Sequence, residues 1–94
     1  VCMLAVLQFN RPAIESVIAE AAAYLGIEGG FDGFAHFVDA LNAELGIPRS
    51  LTALGVLNPN LDALTKSALQ DPSVGGNPVA MTYENTRKLL ETLL

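Results

Sequence analysis

The sequence predicts an all-α fold, an irregular bundle of about five helices plus one short helix. Three observations carry this. Apolar residues recur at three- and four-residue steps along most of the chain, the spacing of a helix face. No segment alternates with period two over a useful length, and β-branched residues are sparse. Finally, Leu25-Gly26-Ile27, Leu45-Gly46-Ile47 and Leu54-Gly55-Val56 each put a glycine where a helix end needs a left-handed residue, followed by an apolar contact. Their spacing is irregular, so they read as one stop signal used repeatedly and not as a solenoid repeat.

Val1–Asn10 is apolar except for Gln8 and its final Asn. Such a helix, apolar on nearly all faces, belongs in the middle of a large core, and the chain is expected to begin inside a helix whose earlier turns are absent. After Asn10-Arg11, Pro12 suits the first turn of a second helix, with Ile14, Val17, Ile18, Ala21 and Leu25 on its buried stripe. The Gly29-Gly30 pair leads into a third helix buried through Phe34, Phe37, Val38, Leu41 and Leu45. Pro48 blocks continuation past Gly46, and Ser50 caps a short helix that Gly55 ends. Asn58-Pro59 reads as a cap and first-turn proline for a helix carrying Leu61, Leu64, Ala68 and Leu69 to Asp71-Pro72. Thr82 caps the last helix, expected to bury Leu90 and Leu94 with Leu89 and Leu93 flanking.

Residues 1–94 are expected to form a single helical unit. Charged residues are only 16% of the chain, whereas about 25% is usual and a small domain, with its large relative surface, needs more and not less. The excess apolar surface belongs against something, which marks the chain as a piece of a larger protein. The net charge is −5 and the basic residues Arg11, Arg49, Lys66, Arg87 and Lys88 are scattered, so nothing forms a phosphate-binding stripe. The turn Gly46–Ser50 between helices likewise lacks a basic recognition helix after it. Nucleic acid is excluded as a partner. The apolar run Val1–Phe9 is too short to span a membrane and lacks the basic start and small-residue cleavage site of a signal peptide. A lone Cys2 excludes an internal disulfide and a multi-thiolate metal site, and fits a buried thiol in a reducing cytoplasm.

Few residues suggest chemistry. His36 is the only histidine and lies on the polar face of its helix, between Asp32 and Asp39. One imidazole and two exposed carboxylates on a single helix make a poor metal site, so the expected reading is a solvated face and no metal ligand. Cys2, in an apolar run without a nearby base, reads as packing. Phe31, Phe34 and Phe37 read as core, and Tyr24 and Tyr83 have no acid–base partner in the sequence. Ser73-Val74-Gly75-Gly76-Asn77-Pro78 is glycine-rich but lacks a preceding strand, a Lys-Ser/Thr pair or GxGxxG spacing, so it is no phosphate loop. It reads as a turn between helices, its glycines taking positive φ and Asn77 held extended before Pro78. No catalytic or cofactor-binding residue is assigned.

The stretch Leu45-Gly46-Ile47-Pro48-Arg49-Ser50-Leu51-Thr52-Ala53-Leu54-Gly55-Val56, followed by Asp71-Pro72-Ser73-Val74-Gly75-Gly76-Asn77-Pro78 and by Thr82-Tyr83-Glu84-Asn85 with Leu89-Leu90, resembles the C-terminal end of the iron-containing alcohol dehydrogenases. Val1–Asn10 is similar to the helix after that family's last metal-binding histidine and ends in its Phe9-Asn10 pair. Leu4-Ala5 stands where the family often has a proline and a histidine, and Val79 where it usually has an arginine, so this chain lacks that cation. The resemblance implies a parent that pairs a dinucleotide-binding domain with a helical domain, uses NAD or NADP and a divalent metal (iron or zinc), and interconverts an alcohol and a carbonyl. The helical domain is of the kind shared with dehydroquinate synthase-like proteins. The family's metal ligands precede the region matching Val1, and His36 has no counterpart among them. No cofactor is therefore expected in this chain. By the same resemblance, Ser73, Val74, Gly75, Gly76, Asn77 and Pro78 approach the substrate cleft, shaping it and donating no proton. The chain's partners would be the remainder of its parent and, for the parent, a small alcohol or aldehyde. In isolation the chain is expected to be inactive and to self-associate through Val1–Phe9. The competing reading is a stand-alone helical module that receives a partner helix or an acyl chain.

Overall fold

The computed structural model describes residues 1–94 and contains four α-helices and one 3-10 helix: α1 (Met3–Tyr24), α2 (Gly30–Glu44), α3 (Leu61–Gln70), the 3-10 turn Pro72–Gly76 and α4 (Tyr83–Thr92). There is no strand, as the absence of alternation predicts. The helices pair as two hairpins, α1 against α2 and α3 against α4, which meet where α1 packs on α4.

All three glycine stops are Schellman endings. Ile27 donates its N–H to Ala22 O at 2.8 Å, Ile47 to Asn42 O at 2.9 Å and Val56 to Leu51 O at 2.9 Å, with φ of +75° at Gly26, +70° at Gly46 and +101° at Gly55. Thr82 caps α4 with a reciprocal capping box, its hydroxyl accepting from the Asn85 N–H while the Asn85 side chain accepts from the Thr82 N–H.

Several expectations about boundaries are corrected. The first two expected helices are one: α1 runs through Pro12. Proline there removes the bond to the Gln8 carbonyl, but both residues are exposed, so water can take the freed oxygen. Residues 50–55 form only one turn, capped by the Ser50 hydroxyl, which accepts from the Ala53 N–H at 3.0 Å. That turn docks on the end of α4, where Leu51 N–H donates to Leu93 O and the Thr52 hydroxyl to Leu94 O, satisfying carbonyls the helix leaves unpaired. The cap of α3 is Asn60, accepting from the Ala63 N–H at 3.1 Å, and not Asn58, which instead takes a left-handed φ of +49°. Two further residues of turn are thereby left between Gly55 and the helix.

The buried stripes are those expected only in part: Ile14, Ile18, Phe34 and Val38 face inward as their spacing predicts, and other members do not. The core centres on Leu7, Phe31 and Ala35, with Leu4, Ile14, Ile18 and Phe34 packed around it. On α2 the buried face is Phe31, Ala35 and Val38, while Phe37, Leu41 and Leu45 are exposed; on α1, Val17 and Leu25 are exposed and Ala22 is fully buried. On α4 Leu93 is buried and Leu94 exposed. Thr65, and not its neighbour Leu64, is the enclosed residue of α3, its hydroxyl donating to Leu61 O at 2.6 Å. Cys2 is exposed and not buried: it precedes the first turn, where no neighbouring helix covers it.

A chain of this mass folded as a compact monomer exposes about 5,200 Å² and has a radius of gyration near 12 Å. Here the values are 6106 Å² and 14.5 Å, and only 9 of 94 residues are buried. The two hairpins share too small a junction to enclose their apolar faces.

Candidate functional site

The 3-10 turn Pro72–Gly76 packs against α3 and faces the first half of α1 across an open groove. Its entry is fixed by Asp71, whose carboxylate accepts from the Ser73 N–H at 2.7 Å, while Val74 N–H reaches the Asp71 carbonyl and Asn77 N–H the Val74 carbonyl. Pro72 occupies the start of the turn, where its missing N–H costs nothing. Asn77 is extended, as expected before Pro78. Gly75 and Gly76 depart from expectation: neither has a positive φ, and a Cβ at either would meet nothing within 4 Å. They sit in the helical region because the chain turns by 3-10 bonds and not by a left-handed residue.

What holds this loop is a pair of side-chain amides. Asn10 Nδ2 donates to Asn77 Oδ1 at 2.8 Å, and Asn77 Nδ2 donates back to Asn10 Oδ1 at 2.8 Å. Asn77 Nδ2 also donates to the Val79 carbonyl at 2.7 Å and contacts the Met81 sulfur. Asn10 is 5% exposed in the middle of α1. In the sequence Asn10 looks like a helix-end residue, and this role does not show. The available signal was its place three residues after Leu7, on the face that is buried.

Between α1 and the loop runs an open groove of about 630 Å³. Cys2, Val6 and Phe9 form one wall, Ser73, Val74 and Asn77 the other, and Ala68, Met81 and Leu89 the remainder, with Asp71 at the edge. Of the six loop residues singled out in the sequence, Ser73, Val74 and Asn77 therefore line the groove, while Gly75, Gly76 and Pro78 do not. A second depression of about 680 Å³ lies across Phe9 and Leu89, bounded by Leu4, Ala5, Gln8, Asn85, Lys88 and Thr92.

The groove is apolar and carries no histidine or lysine. Its titratable groups are Asp71, already engaged by the loop, and Cys2. It can bind an apolar group by shape; it holds no general base. Groups with shifted protonation lie elsewhere. Asp62 is held below the ordinary carboxylate value by hydrogen bonds from Lys66 and from the Tyr83 hydroxyl at 2.6 Å, and Lys66 is raised by the same contact. Arg87 is raised by its hydrogen bond to Tyr83, and Arg11 by its bonds to Glu15 and Asp32. Of these contacts Asp62–Tyr83 ties α3 to α4 and Arg11–Asp32 ties α1 to α2, while Asp62–Lys66, Tyr83–Arg87 and Arg11–Glu15 lie within single helices.

His36 is exposed on α2. Its two flanking carboxylates face different arginines, Asp32 bonding Arg11 at 2.9 Å and Asp39 bonding Arg49 at 2.9 Å. No three His, Cys, Asp or Glu side chains come together in the chain to hold a metal ion. The donor set does not fit the divalent metal of the family that the sequence resembles. Nor is there a helix long and apolar enough to cross a membrane.

No protein-family model matches the sequence, and no solved structure matches it. Curated proteins do. Lactaldehyde reductase of Escherichia coli (strain K12) is 34% identical over 79 residues, which cover 84% of this chain. The bifunctional aldehyde-alcohol dehydrogenase AdhE of the same strain is 34% identical over 82 residues, 76% of this chain. The chain belongs to the iron-containing alcohol dehydrogenase family. It spans only 19% of the length of the first relative and 9% of the second.

Proposed function

We propose that this chain is the C-terminal end of the helical domain of a metal-dependent alcohol dehydrogenase that interconverts a small alcohol and its carbonyl by hydride transfer to NAD or NADP. The observation that carries this reading is the loop Asp71–Asn77, fixed beside an apolar groove within a segment shared with a lactaldehyde reductase and an aldehyde-alcohol dehydrogenase. Residues 1–94 act as one helical unit. Their role is structural: Ser73, Val74, Gly75, Gly76, Asn77 and Pro78 form part of the substrate-cleft wall. In that wall Val74, with Phe9 and Met81 across the groove, packs against the carbon skeleton of the alcohol and keeps water from it. Ser73 supplies a hydroxyl for a polar substituent. The metal, when bound elsewhere in the parent, polarises the substrate oxygen. This chain supplies none of its ligands.

The remainder of the parent covers the apolar surface left open here. The large exposed surface, well above that of a compact monomer, supports this, as do the exposed Phe37 and Leu41 on α2, Leu45 at its end, and the open groove on α1. A single thiol without a disulfide partner fits work in the cytoplasm. Isolated from the parent, the chain associates with itself through the Val1–Phe9 part of α1, whose Val6 and Phe9 line that groove.

Assay of the full-length protein tests the reading. It should oxidise small alcohols with NAD or NADP, lose activity on chelation and regain it with iron or zinc, while residues 1–94 alone are inactive under all these conditions. Metal-independent turnover by residues 1–94, or a full-length protein inert towards alcohols and aldehydes, would overturn it.

A further inference from the structure

Asn10 is the one polar side chain in the buried part of α1, and every polar atom of its amide is spent on Asn77. A helix interior needs no such residue. Leucine there would have better helix propensity and would add apolar burial. What the amide adds is direction: two reciprocal 2.8 Å bonds fix Asn77 in position and orientation, whereas an apolar contact would let it slide. Asn77 in turn holds the Val79 carbonyl on its other side, so one amide ties the loop both to α1 and to the segment leading to α4. No other side-chain hydrogen bond joins the loop to a helix outside its own neighbourhood.

We infer that Asn10 is a positioning residue for the substrate cleft: through Asn77 it sets the distance between Val74 on the loop and Phe9 on α1, and so the width of the slot that receives the substrate's carbon chain. Phe9 is adjacent to Asn10 in sequence, so the clasp and the opposite wall are carried by the same turn of α1. This rests on the loop being a cleft wall, as proposed above.

The experiment uses the full-length protein with Asn10→Leu, Asn77→Leu and Asn10→Asp, followed by hydrogen exchange across residues 71–82 and by steady-state kinetics on a series of straight-chain alcohols. Both leucine variants should raise exchange in the loop at least tenfold. KM for the alcohol should rise about tenfold, with kcat and the cofactor KM little changed, and the chain-length preference should broaden. Asn10→Asp provides a rescue. As a carboxylate it can only accept, leaving Asn77 Oδ1 facing a negative oxygen; protonated, it has the donor and acceptor of the original amide. Its loop exchange should therefore fall back towards the wild-type value as the pH is lowered. Unchanged loop exchange in both leucine variants would overturn the clasp itself. Faster loop exchange with unchanged alcohol KM and preference would instead overturn the loop's place at the cleft, and the inference with it. If Asn10→Leu fails to fold, Asn77→Leu and the pH dependence of Asn10→Asp carry the same decision.

Discussion

Gly33, in the first turn of α2, should not tolerate alanine even though it lies in a helix. A Cβ built there would run into the carbonyl oxygen of Glu28, with the Glu28 carbonyl carbon close behind. Two effects oppose each other. Alanine in place of glycine gains about 1 kcal/mol of helix propensity. Overpacking costs about 1–3 kcal/mol, and the upper end applies because the obstacle is backbone and cannot rotate away. Glu28 follows the Schellman ending at Gly26-Ile27 and precedes Gly29, which has φ of +95°, so moving its carbonyl disturbs the whole α1–α2 turn. The net loss is about 2 kcal/mol, or a fall in melting temperature of about 8–15 °C for a domain of this size. Gly75→Ala is the internal control. Its backbone is not left-handed and its Cβ meets nothing, so it should gain about 0.4–1 kcal/mol by restricting the unfolded chain. Thermal unfolding of residues 1–94, followed by circular dichroism at the helix minimum, measures both. A Gly33→Ala variant as stable as wild type would show that the close approach to Glu28 is not a constraint.

Other expectations can be checked in the same preparations. Gly46→Ala meets no atom but must hold φ near +70°, so it should cost about 1–2 kcal/mol in urea unfolding. Asp62 has a folded protonation point below the ordinary carboxylate value of 3.8, so its bonds to Lys66 and Tyr83 stabilise the fold at pH above that value and are lost as the pH falls through the folded one. The acid limb of the stability curve should therefore be shallower below about pH 4 in Asp62→Asn. Residues 1–94 alone should sediment as a dimer or larger species, and Val6→Glu with Phe9→Glu should shift them to monomer. Leu7 is unsuitable for that test because it is part of the core with Phe31, and Leu7→Ala should cost about 2–5 kcal/mol.

Local signals in this chain were legible because they act within a few residues. Each glycine stop and the Thr82 cap specify their own hydrogen bonds, and the structure forms them as the sequence predicts. Helix faces were less so. Of the expected stripe Phe34, Phe37, Val38, Leu41 and Leu45, only Phe34 and Val38 face the core; α2 meets only α1, so Phe31 and Ala35 complete the inward face and Phe37, Leu41 and Leu45 stay open. Pro12 reads as a start because proline usually breaks a helix; exposure of Gln8 and Pro12 lowers the cost by leaving the freed carbonyl to water, and the ring's clash with that carbonyl is what the continuous helix still bears. The loop at Ser73–Pro78 was recognisable as a unit, but not what fixes it. Asn10 and Asn77 are 67 residues apart, and no periodicity connects them.

A structure of the full-length protein with an alcohol or alcohol analogue bound would decide whether the loop walls the substrate cleft, because it reads the loop's place without inference from kinetics. The ligand's carbon chain should lie in van der Waals contact with Val74 on one side and Phe9 on the other, with the Asn10–Asn77 amide pair intact behind them. A ligand bound far from both, with Ser73–Pro78 on the outer surface of the protein, would contradict it.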